Sequence, residues 1–193
     1  MGSQTNWTPG AHDNKLGLTD TDEINRIEAE GLIDAGLFIF DQDESTTVTA
    51  QLILEIHRIA FQRLYDWAGK WRTEEVQVGN LFPPHPARIP ILMYQYIDNL
   101  NHRISFARDR SAHIDCISYA HHEFVRIHPF NNGNGRTGRL LMNLVCLILG
   151  YHPLNLYQRD GEPRQTYISA LQRADAGDLL PLQALIDREL ELL

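Results

Sequence analysis

The sequence predicts an all-α domain, mainly helical, with one small β-hairpin flap. Apolar residues recur at three- and four-residue spacing through most of the chain, as helices with one buried face require. Only Glu74-Glu75-Val76-Gln77-Val78 alternates with period two, and it runs into Gly79-Asn80 and then Phe82-Pro83-Pro84, so it reads as a short hairpin. The 193 residues contain no repeat, no low-complexity tract and no linker. They fit one domain, which at this size buries roughly 70% of the surface of its unfolded chain.

The elements follow in order. Residues 1–14 are polar and contain glycine, so they read as a flexible arm, leaving 15–193 as the domain. Thr19-Asp20-Thr21-Asp22 offers N-caps for a helix running to about Ala35, with Ile24, Ile27 and Leu32 inward. Thr46 to Thr49 introduce a long amphipathic helix through Trp67, carrying Leu52, Ile56, Ile59 or Ala60, and Leu64. Pro90 begins a helix containing Met93, Tyr94, Ile97, Leu100 and Ile104. Two more helices, Asp115 to Ile127 and Gly138 to Leu149, bracket an irregular segment. The last two run from Pro163 to Ala174 and from an Asp178 N-cap to the C-terminus.

Composition narrows the function classes. A net charge of −8 and a pI near 5.5 argue against broad binding to nucleic acid or anionic membranes. A local positive pocket is still compatible with this balance, with Arg72, Lys70, Arg136 and Arg139 to supply it. No apolar run reaches transmembrane length, and the first residues lack a basic-then-apolar signal pattern. Cys116 and Cys146 both sit in apolar helical patterns without metal-ligand spacing, so they read as reduced core residues and the setting as cytoplasmic.

The bracketed segment is the most informative stretch: His128-Pro129-Phe130-Asn131-Asn132-Gly133-Asn134-Gly135-Arg136-Thr137-Gly138-Arg139. A Gly/Asn-rich loop entering a helix N-terminus is an anion site, because loop and first-turn N–H groups point at an oxyanion and add a positive dipole end. Arg136 and Arg139 lie three apart, so both reach one face of that turn and can grip phosphate oxygens in forked geometry. His128 at the other lip is a titratable base. Phosphate grip plus a base is the chemistry of phosphoryl or nucleotidyl transfer.

The segment resembles the active-site motif of the Fic/Doc family, HxFx(D/E)GNGRxxR, which joins two helices of a small helical domain. His128, Phe130, Gly133, Asn134, Gly135, Arg136 and Arg139 match, and the resemblance extends from about Thr19 to about Leu180. It implies a protein adenylyltransferase that moves AMP from ATP onto a Tyr, Thr or Ser hydroxyl of a target protein. His128 would be the general base, and Phe130 would anchor the loop in the core. Gly133 and Gly135 would let the backbone approach the phosphates, and Asn134 would hydrogen-bond phosphate. Arg136 and Arg139 would hold the β- and γ-phosphates. The family's metal is Mg²⁺, bound by an acidic residue where this chain has Asn132, a neutral and weaker ligand. Two alternatives stay open: transfer of another phosphate-bearing group, kinase-like, or a catalytically silent nucleotide-binding module.

The resemblance also implies how a target is docked and how activity is regulated. The flap would dock the target segment, with Val76, Gln77 and Val78 as the pairing edge. Many relatives are inhibited by a glutamate in (S/T)xxxE(G/N), and Glu30-Gly31 matches its end, although Arg26 stands where Ser or Thr is expected. An inhibitory partner protein, as in toxin–antitoxin pairs, is the other route. His121 and His122 lack HExxH spacing and point to different faces of one helix, so a zinc site is not expected.

Overall fold

A computed structural model of the chain describes residues 14–79 and 82–193, and these form a bundle of helices. In order they are α1 (Thr21–Phe40), α2 (Ala50–Phe61), α3 (Ile89–Phe106), α4 (Arg110–Ile127), α5 (Asn134–Ile148), α6 (Gly161–Asp175) and α7 (Leu180–Glu189), with a single 3-10 turn at Pro86–Arg88 before α3. α4 and α5 pack most extensively against each other, and the main core fills the space between them and α2, α3, α6 and α7. A second cluster (Ile24, Ala35, Ala60, Phe61, Leu64, Tyr65 and Ala68) joins α1 to the end of α2.

Local chemistry sets the boundaries. Asp20 caps α1 by accepting from the Asp22 and Glu23 N–H groups, and α1 continues past the expected end at Ala35 because Ile39 extends its buried row. Thr49 caps α2 through the Leu52 N–H. α2 stops at Phe61 instead of reaching Trp67. Beyond Phe61 the chain turns back, with Gly69 at φ +73°, so that Trp67 stacks on Tyr65 at 4.4 Å. The Leu64 carbonyl, freed from the helix, accepts from Lys15 N–H at 2.8 Å. α4 starts five residues before the expected Asp115, because Asp109 caps it through the Ala112 N–H. α5 starts at Asn134, four residues before the expected Gly138, so half the motif is helix. α7 has Leu179 at its N-cap, one residue after the expected Asp178, whose carboxylate accepts from the Leu180 N–H at 3.2 Å.

The expected hairpin is not formed as strands among the described residues. Residues 71–77 contain no helix or strand, Val78 sits in an isolated bridge and Gly79 in a turn, Gln77 and Val78 are exposed, and Asn80 of the expected Gly79-Asn80 turn lies outside the described residues. The expected N-terminal arm also lies outside them, except for Asn14. That residue is buried and joins the fold, its amide exchanging bonds with Leu18 N–H at 2.9 Å and Leu18 carbonyl at 2.8 Å. Among the described residues no helix is long and apolar enough to cross a membrane, and Cys116 and Cys146 are free thiols in the core.

Candidate active site

The site is assembled where α4 ends and α5 begins. His128 terminates α4 in the left-handed region at φ 54°, the only non-glycine there among the described residues. A side chain in that region costs about 1–2 kcal/mol, so surrounding contacts must hold it. Pro129 follows and cannot continue the helix. Arg72 supplies the hold. Its Nε donates to the His128 carbonyl at 2.7 Å, and its backbone N–H donates to the Pro129 carbonyl at 2.8 Å. The same guanidinium donates to the Glu74 carbonyl at 2.9 Å and the Pro84 carbonyl at 2.5 Å. Only 2% exposed, Arg72 ties the turn at His128 and Pro129 to both ends of segment 74–84 and is not a free phosphate ligand, as the sequence had allowed.

The His128 ring has a defined tautomer. Nδ1 lies 3.3 Å from the Val125 carbonyl, which can only accept, so Nδ1 carries the proton and Nε2 has the lone pair. Burial and the nearby Arg72 charge push its pKa down to about 4, so at neutral pH the ring is an unprotonated base.

The loop is anchored from beneath. Phe130 is fully buried and stacks on His57 with 3.5 Å between ring centroids and 4° between planes. His57 Nδ1 accepts from Gly69 N–H at 2.9 Å, which makes Nε2 the donor to the Asn132 carbonyl at 3.1 Å. Asn134 closes the loop on itself: its Oδ1 accepts from Phe130 N–H and its Nδ2 donates to the Phe130 carbonyl, both at 2.8 Å. Expected as a phosphate donor, its amide is turned inward, and only 2% of the residue is exposed.

Gly133 opens α5 at φ +76°, and a Cβ there would sit 2.5 Å from the Phe61 ring. The first hydrogen bond of α5 runs from Thr137 N–H to the Gly133 carbonyl at 2.9 Å. The N–H groups of Asn134, Gly135 and Arg136 therefore precede the helical ladder and are available to an anion. Arg136 and Arg139 flank this end, the first with its guanidinium 4.6 Å over the Phe61 ring, the second 4.2 Å over the Tyr157 ring. Structure thus brings His128, Gly133, Gly135, Arg136 and Arg139 around one helix terminus.

Glu30 is not part of this group. It faces solvent and pairs with Arg26 at 2.6 Å and Arg63 at 2.9 Å. The acid that does reach the site is Glu28, missed in the sequence, whose Oε2 meets Arg136 Nη1 at 2.6 Å. Val76, Gln77 and Val78 lie on the outer segment, with Gln77 Nε2 bonded to the Gly79 carbonyl at 2.9 Å. Nor do the other histidines converge on a metal: buried His121 bonds the Tyr167 hydroxyl at 2.6 Å, His122 meets Asp175 at 2.9 Å, and the described residues contain no metal-ligand cluster.

For Mg²⁺ the donor set fits poorly. Residues 128–139 include no carboxylate. Asn132 Oδ1 accepts from Gly133 N–H at 2.7 Å, and Glu28 is held by Arg136.

Residues 47–146 match the family model described as Fic/DOC. Protein adenylyltransferase Fic of Aedes aegypti is 36% identical over 135 residues, covering 69% of this chain and 26% of that protein. Its counterpart in Culex quinquefasciatus matches to the same extent. Among solved structures, Fic-1 (residues 134–508) of C. elegans aligns with a TM-score of 0.71 at 29% identity, covering 91% of this chain and 52% of that one. BepC from Bartonella tribocorum, solved with AMPPNP, has the same fold, with a TM-score of 0.72 over 93% and 92% of the two chains at 18% identity. This chain spans about a quarter of the length of the curated relatives it matches. By its motif, its fold and the match over 47–146, the chain belongs to the Fic/DOC family.

Proposed function

We propose that this chain transfers AMP from ATP to a Tyr, Thr or Ser hydroxyl of a target protein. The observation that carries the reading is the His128 ring: a neutral base with its proton fixed on Nδ1, next to an open helix N-terminus flanked by two arginines. The relatives named protein adenylyltransferase support the same class of reaction. In the step, the target hydroxyl oxygen bonds to the α-phosphorus while the bond from that phosphorus to the bridging oxygen breaks. The hydroxyl proton passes to His128 Nε2, and pyrophosphate leaves. First-turn N–H groups of α5 with Arg136 and Arg139 neutralise the phosphate charge.

Mg²⁺ belongs to this proposal as the counter-ion ATP brings with it, since residues 128–139 offer it no anionic donor. The exposed segment with Val76, Gln77 and Val78 would receive an extended stretch of the target by hairpin-like backbone pairing. An inhibitory partner protein and a cytoplasmic setting complete the reading; the free, buried Cys116 and Cys146 support the latter.

The test uses ATP labelled at the α- or the γ-phosphate, with purified protein and a lysate. Transfer of the α label alone, lost in His128→Ala while ATP binding survives, is the expected result. Transfer of the γ label alone would replace AMP transfer with a kinase-like reaction, and binding without transfer of either would favour a silent nucleotide-binding module.

A further inference from the structure

Glu28 is an acid in an otherwise apolar row. α1 buries Ile24, Glu28, Gly31, Ala35 and Ile39 along one face, and the glutamate is only 7% exposed. Leaving a carboxylate out of water costs several kcal/mol unless it is paired and hydrogen-bonded. Here both oxygens are satisfied. Oε1 accepts from the Tyr65 hydroxyl at 3.0 Å and Oε2 from Arg136 Nη1 at 2.6 Å. The Arg136 guanidinium also rests over the Phe61 ring at 4.6 Å. The arginine is therefore held by both a fixed carboxylate and an aromatic face, and three separate elements converge on it: α1, the end of α2 with the turn after it, and α5.

A guanidinium carries five N–H donors, and this clamp engages one edge. A flexible arginine loses several rotatable bonds when it grips phosphate; one already held loses fewer. We propose that Glu28, itself held by Tyr65, is a positioning residue that presets Arg136 for the phosphates of the nucleotide. The inference rests on the reading that Arg136 grips those phosphates.

A double-mutant cycle tests it, with ATP affinity measured by titration calorimetry on the whole chain. Glu28→Gln keeps the shape and a hydrogen-bond acceptor for Tyr65 but removes the charge. It should weaken ATP binding on the order of tenfold. Arg136→Ala should weaken it more, and the double variant should bind no worse than Arg136→Ala alone, because Glu28 acts through that arginine. Thermal melts show whether each variant is folded. If Glu28→Gln does not fold, Tyr65→Phe, which removes the hydrogen bond to Glu28 and no charge, should still lower affinity a few-fold.

Independent, additive losses in the cycle would overturn the proposal, as would unchanged affinity in Tyr65→Phe and Glu28→Gln. Tighter binding in Glu28→Gln would also overturn it, showing that the carboxylate withholds Arg136 from the ligand. The two levels separate cleanly. Wild-type protein that binds no ATP removes the nucleotide site itself, whereas wild-type protein that binds ATP and transfers no label removes only AMP transfer.

Discussion

His57 and Phe130 lie face to face, 3.5 Å apart and nearly parallel, and the same imidazole bonds the loop through the Asn132 carbonyl at 3.1 Å. One buried side chain from α2 thus fixes both the aromatic anchor and the backbone of the motif loop. His57→Phe would keep a ring for the stack and lose both hydrogen bonds, leaving the Gly69 N–H and the Asn132 carbonyl without their partner. The expected cost is about 2–4 kcal/mol, a Tm lower by roughly 5–12 °C. Thermal denaturation measures it; an unchanged Tm would mean that the loop is held elsewhere.

Three histidines should make the fold acid-sensitive. Burial is the first cause in each case, pushing His57 down to about 3 and His121 and His128 down to about 4. The folded state keeps these rings neutral, while in the unfolded chain they titrate near 6.5. Below that value the unfolded state binds more protons, so the stabilisation is complete above pH 6.5 and declines as pH falls towards 4, with His57 still contributing down to about 3. Each ring adds a slope of up to about 1.4 kcal/mol per pH unit in that window. Urea unfolding between pH 5 and 7.5, above the ordinary carboxylate range, isolates the effect. Stability that stays level over this interval would contradict neutral burial.

The same depression bears on rate. With His128 at about 4, the base form is already present throughout the neutral range. The kcat/KM for AMP transfer is therefore expected to show no histidine-like limb near 6.5 and to fall only towards pH 4. An inflection close to 6.5 in the pH–rate profile would mean that the base is exposed or paired differently when substrate arrives.

Arg72 couples segment 74–84 to the turn at His128 and Pro129, so if His128 is the base of the proposed transfer, its substitution should affect chemistry out of proportion to binding. Arg72→Lys keeps the charge but not the fork that reaches the His128, Glu74 and Pro84 carbonyls. Labelling is expected to fall on the order of 10- to 100-fold through misplacement of the base, with ATP affinity little changed. Parallel measurements of ATP affinity and label transfer decide it, and equal losses in both would make Arg72 a ligand instead of a clamp.

The helices and the motif were legible in the sequence because they rest on local patterns: apolar spacing, Asp and Thr caps, and a loop dense in Gly, Asn and Arg between two apolar helices. What was not legible depends on partners distant in the chain. Glu30 fitted a short pattern, but on a helix it lies about 200° around from Glu28. The available signal was an acid in step with Ile24, Gly31, Ala35 and Ile39. The roles of Arg72 and Asn134 were hidden because their partners are backbone carbonyls and N–H groups, which no residue type announces. Trp67 looked like a continuation of α2, yet stacking on Tyr65 turns the chain back before it.

Asn132 offers the sharpest contrast with the family motif. Its Oδ1 accepts from Gly133 N–H at 2.7 Å, and an aspartate of nearly the same shape can make that bond with one oxygen and leave the other for a cation. Asn132→Asp should therefore fold normally and bring a negative charge to the open end of α5, where the helix dipole favours it by about 0.3–1 kcal/mol. The expected outcome is tighter use of Mg²⁺: half-maximal transfer at a Mg²⁺ concentration roughly tenfold lower than in the wild type. Transfer rates followed across a Mg²⁺ titration at fixed ATP provide the measurement. Identical curves for the two proteins would mean that position 132 does not approach the metal at all, and that the triphosphate alone holds it.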